Sequence, residues 1–156
     1  MKAKLLVSLL LAVLLVQAYT CALAVADDSP VEVAVYIENR IKNDGSKLLT
    51  LQDALEVVEA RFKDQLGYAV DFKFCRWWES RKDIDDPLVL LQDALSKAGG
   101  IRTREYDNYG TVQWRFNNVY FACAIYVVDQ DLDGDLTGGV AVLNWHAAIL
   151  DLVETV

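Results

Sequence analysis

Apolar residues recur along this chain with a spacing that changes from block to block, and each block predicts an element. Pro30 to about Lys42 reads as a first helix, with Ser29 as N-cap, Pro30 at the first position and Glu32 reaching back. That helix would place Ala34, Ile37 and Ile41 on one face. The same stretch also alternates as Val31, Val33, Val35 and Ile37, the pattern of a strand. Leu51–Leu66 carries the clearest helical spacing, through Leu51, Leu55, Val58, Phe62 and Leu66. Thr50 is its expected cap and Gly67 its stop.

Tyr68–Trp77 then switches to a period of two, with Val70, Phe72 and Phe74 on one face and Asp71, Lys73 and Cys75 on the other. Asp86 and Pro87 open a short helix that ends at Gly99-Gly100. Ile101–Tyr106, Thr111–Phe116 and Val119–Val128 read as strands joined by turn chemistry, which favours an antiparallel meander. Val119–Val128 is apolar on both faces, as a central strand would be. Val140–Val153 is apolar almost all round and is expected to be a buried helix, although Gly139–Trp145 also fits the start of a strand. The pentamer Leu-Gln-Asp-Ala-Leu opens at Leu51 and again at Leu91, where acidic and amide residues suit the first turns of a helix.

The pattern predicts an α+β fold, with N-terminal helices packed on an antiparallel sheet of about four strands and a C-terminal buried helix. Composition narrows the rest. The 156 residues are 54% apolar and carry a net charge of −8. An acidic chain repels phosphates, so nucleic acid is excluded as a partner.

Lys2 and Lys4, the apolar run Leu5–Val16 and the exits Ala22-Leu23-Ala24 and Ala24-Val25-Ala26 form a secretory leader over residues 1–26. Cleavage after Ala24 or Ala26 would leave a single domain over 27–156, secreted to an extracellular or periplasmic compartment. The run is too short for a membrane span, which takes about 20 apolar residues. Cys21 leaves with the leader, and Cys75 and Cys123 are then expected to pair, a cross-link worth about 4 kcal/mol in loop entropy.

One loop has a chemical template. Asp129, Asp131 and Asp133 fit the first three ligand positions of a calcium loop, Gly134 its sharp turn, and Asp135 and Thr137 supply further oxygens. Over these residues the segment resembles an EF-hand loop. The bidentate glutamate that should close the loop is replaced by Val140. The expectation is therefore a single weak calcium site, completed by water or a distant carboxylate.

Other chemistry is sparse. His146 is the sole histidine, on an apolar stretch, so a three-histidine zinc site cannot form. Asp83, Asp85 and Asp86 share a loop, but nothing fixes the spacing that carboxylate catalysis needs. Trp77 and Trp78 are adjacent and should point to opposite faces of a strand. One of them, near Arg76 and Arg81, is the expected exposed contact residue.

Two functions fit. One is a secreted, non-enzymatic binding protein, ordered by a disulfide and by calcium, whose partner is an extracellular protein, a glycan or a small apolar ligand. The other is a small-ligand pocket protein or small secreted enzyme, with a helix-on-sheet cavity lined by Phe72, Phe74, Trp114 and His146.

Overall fold

A computed structural model describes residues 30–67, 69–97, 104–106, 112–116, 119–121, 123–130, 139–142 and 147–152. Strand β1 (Val31–Glu38) is followed by a 3-10 turn (Asn39–Ile41), helix α1 (Gly45–Leu66), strand β2 (Val70–Trp78) and helix α2 (Pro87–Lys97). Strands β3 (Arg104–Tyr106), β4 (Val112–Phe116), β5 (Val119–Phe121), β6 (Cys123–Val128), β7 (Gly139–Val142) and β8 (Ala147–Asp151) complete the order.

The main sheet runs β2-β1-β6-β8-β7. Its first four strands are parallel to their neighbours, and β7 joins antiparallel on the outer edge of β8. This corrects the expected antiparallel sheet. The strands β3, β4 and β5 do form an antiparallel meander, but as a separate small sheet.

Helices cover both faces of the parallel sheet. On one face Leu51, Ala54, Val58 and Phe62 of α1 pack on Val33, Val35, Ile37, Ile125 and Val127. On the other, Leu90, Leu91 and Ala94 of α2 pack on Ala34, Tyr36, Ala124, Tyr126 and Ile149. A parallel sheet buried on both sides needs strands that are apolar throughout. Residues 33–38 and all of β6 are buried accordingly.

That demand explains the two elements misread from sequence. β1 was expected as a helix, yet its β-branched residues are stiff and pack well on a pleated surface. Covering both faces then favours a strand over the cap signal at Pro30. The expected helix over Val140–Val153 is instead β7 and β8, with Ala147, Ala148, Ile149 and Leu150 all buried. A short apolar run looks the same as a buried strand or a buried helix turn, because neither shows a polar face.

The long helix starts earlier than its apolar stripe. Asp44 is the N-cap and accepts from the Lys47 amide at 3.1 Å, while Thr50 donates to the Ser46 carbonyl inside the helix. Gly67 closes the helix at φ 73, a left-handed conformation that glycine adopts without a Cβ penalty. Asp86 caps α2 by accepting from the Leu88 and Val89 amides at 2.8 and 3.0 Å. The repeated pentamer buries the same two positions in each helix, Leu51 with Ala54 and Leu91 with Ala94. The leader at 1–26, Ser29 and the helix end at Gly99-Gly100 lie outside the described residues.

Candidate functional site

From β1 the chain crosses to β2 on one side and later returns to β6 on the other. Beyond the carboxyl ends of β1 and β6 the loops therefore diverge, which is where open α/β sheets hold their ligands. The loops after β1, β2 and β6 meet at this end.

Glu38 is the last residue of β1 and is 1% exposed. A carboxylate so buried is costly unless charged and polar donors surround it. The 3-10 turn folds Arg40 back so that its Nε donates to Glu38 Oε1, and Ile41 pins the turn into the core. Ser80, just past β2, donates its hydroxyl to the same oxygen. The Asp129 amide, just past β6, donates to Glu38 Oε2 at 2.6 Å. Arg40 Nη2 also donates to Ser80 Oγ at 2.9 Å and reaches Gln130 Oε1 at 3.5 Å. Gln130 Nε2 donates to the Ile84 carbonyl in the loop after β2. Lys47, in the first turn of α1, donates to Asp129 Oδ1 at 2.6 Å. A single buried carboxylate thus ties three loops and the start of a helix together.

The expected site residues fare differently. Asp129 belongs to this knot, whereas Asp131, Asp133, Asp135 and Thr137 lie outside the described residues. Among the described residues no three His, Cys, Asp or Glu side chains come together to hold a metal. Asp129 directs one oxygen to Lys47, so the described residues assemble no calcium site, which corrects the calcium-binding expectation as far as those residues reach. The secreted reading gains no support either, since the leader is not among the described residues.

The expected disulfide is also corrected, because Cys75 and Cys123 are both free thiols. β1 lies between their strands. Strands one apart are separated by roughly 9.6 Å, beyond the Cα reach of a disulfide, about 7 Å. They also face opposite ways, Cys123 into the α1 layer and Cys75 into the α2 layer. Burial pushes the Cys123 thiol up to about 12 and raises Cys75 as well.

Trp77 and Trp78 do point to opposite faces, and both faces are covered. Trp78 is 3% exposed under α2, and Trp77 is half-buried on the α1 side with Lys42 Nζ 5.8 Å from its ring centre. Arg76 is exposed. Tyr36 and Tyr126 stack at 4.8 Å, and Trp78 meets Tyr126 edge-on at 5.7 Å. The Trp78 indole nitrogen and Tyr126 hydroxyl are buried with no hydrogen-bond partner among the described residues. Burial raises the Tyr126 phenol above its ordinary range.

Of the four residues expected to line a cavity, two have described side chains. Phe72 is half-buried on the α1 side and Phe74 is exposed on the outer strand. The side chain of Trp114 and all of His146 lie outside the described residues. In the loop after β2, Asp83 pairs with Arg81, whose guanidinium holds the Asp83 carboxyl below the usual range.

Glu38, Arg40, Ser80 and Gln130 were missed from sequence. Their one visible signal is Glu38 itself, a charge at the end of an apolar alternation that has no polar face. Among the described residues no helix is long and apolar enough to cross a membrane. Comparison with protein-family models, curated proteins and solved structures finds no match.

Proposed function

We propose that this chain is a non-enzymatic binding protein whose recognition surface is the loop cluster at the carboxyl ends of β1, β2 and β6. The knot around Glu38 carries the reading. A surface whose loops are already fixed by buried hydrogen bonds loses little entropy when a partner docks. Both oxygens of Glu38 are engaged by donors, an arrangement suited to holding loops rather than to moving protons.

The partner is a protein segment bearing lysine or arginine. Asp44, Glu79, Asp83, Asp85, Asp86 and Asp129 lie in the loops at this end. Lys47 and Arg81 pair with Asp44, Asp129 and Asp83, which leaves Glu79, Asp85 and Asp86 without an ion pair among the described residues. The chain as a whole carries −8. Such a field attracts basic groups and accelerates their encounter.

Calorimetric titration with a lysine-rich peptide tests the proposal. Glu79→Gln with Asp85→Asn should weaken binding markedly. Asp53→Asn with Asp64→Asn removes equal charge from exposed positions of α1 and should leave most of it. Equal losses in both double variants, or no binding by the parent chain, would overturn the proposal.

A further inference from the structure

β2 is the outermost strand of the parallel sheet, and among the described residues no strand pairs with its outer edge. The Val31 amide donates to the Ala69 carbonyl at 2.8 Å, which turns the odd-numbered residues at the start of β2 toward β1. The amides and carbonyls of Val70, Phe72 and Phe74 then face outward. In agreement, the Phe72 amide donates to Glu59 Oε1 of α1, at 3.4 Å, rather than to β1. The register is regular from Val70, opposite Val31, to Phe74, opposite Val35. Cys75 then forms a bulge, since Tyr36 pairs with Arg76.

The regular stretch Val70-Asp71-Phe72-Lys73-Phe74 is complementary to itself. Two copies laid antiparallel about Phe72 set Phe72 against Phe72, Val70 against Phe74, and Asp71 against Lys73 twice over. The outward-facing residues become the hydrogen-bonded pairs, with the Phe72 amide exchanging its long bond to Glu59 for the Phe72 carbonyl of the second copy. Asp71 and Lys73 fall at non-hydrogen-bonded pairs, where opposite side chains come closest. Within one chain these two already bridge at 2.6 Å and stay partly exposed, with room for an alternating quartet of charges. Phe74 is 52% exposed on this edge, and the exposed Leu66 lies two turns beyond Glu59 on the same flank of α1.

We propose that two copies of this chain associate through β2 in this register, as a twofold dimer with one sheet continuous across both. A lysine on an edge strand usually repels a neighbouring strand. Here it meets an aspartate of the second copy, so the charge selects one pairing and rejects others.

Sedimentation velocity of the full chain across the micromolar range should show a monomer–dimer equilibrium. Asp71→Lys and Lys73→Asp each set like charges opposite one another, and each should weaken association by about tenfold. An equimolar mixture of the two variants should restore it, because the lysines of one face the aspartates of the other. Circular dichroism confirms that each variant is folded. A parent chain that stays monomeric, variants that dimerise as well as the parent, or a mixture that does not recover would each overturn the proposal.

Discussion

Replacing Arg40 with alanine removes the cation that pairs with the buried Glu38 carboxylate at the end of β1. Glu38 keeps the Ser80 hydroxyl and the Asp129 amide but loses its counter-charge. Breaking a fully buried pair by removing one partner costs about 3–5 kcal/mol. The Arg40 side chain is 30% exposed, so water can partly replace it, and a cost of about 2–3 kcal/mol is expected. In a chain of this size that lowers the thermal midpoint by roughly 6–9 °C. Urea unfolding of the parent, Arg40→Ala, Glu38→Gln and the double variant measures the cost and the coupling. The double variant should be about 1–2 kcal/mol more stable than the two single losses predict. Additivity within about 0.5 kcal/mol would show that the two residues act independently and refute the knot as a unit.

Four further outcomes follow from the fold. A reducing agent should leave the midpoint unchanged, because no disulfide joins Cys75 to Cys123; a drop of about 2–4 kcal/mol in stability would argue for the bond. The Cys123 thiol is raised from 9.0 to about 12, so above pH 9 the unfolded chain sheds a proton that the folded chain keeps. Stability should fall as pH rises from 9 toward 12, and Cys123→Ala should flatten that slope in alkaline urea titrations. Tyr126→Phe deletes a buried hydroxyl with no described partner, and calorimetry should find stability unchanged or raised by about 1 kcal/mol. Gly67→Ala meets no neighbouring atoms within 4 Å but forces alanine to φ 73, so it should cost about 1 kcal/mol by chemical denaturation.

The elements legible in sequence were those with one wet face. α1 shows its stripe because its opposite side meets solvent, and β2 alternates because it sits at the sheet edge. β1 and β8 are covered on both sides, so hydrophobic periodicity carries no information about their type. The sheet's direction was hidden for the same reason, since only the pairing partners distinguish parallel from antiparallel strands. The site was less legible still. Arg40 and Ser80 look like ordinary surface residues until the topology brings three loop starts to one carboxylate. The acidic loop drew attention through its metal-like spacing, whereas Asp129 enters the described site through its backbone amide and its bond to Lys47.

The position of β6 between β1 and β8 has a consequence for the time course of folding. β1, α1 and β2 are contiguous in sequence and can dock early as a βαβ unit. The neighbour that completes β1 on its other side lies about ninety residues downstream, with Val33 waiting for Cys123. Closing so long a loop is slow compared with local docking. During synthesis at roughly 5–20 residues per second, the unfinished edge of β1 stays open for several seconds. That interval is when an emerging chain is most open to capture by a chaperone, or by another nascent copy, and the risk ends when β6 slots into place.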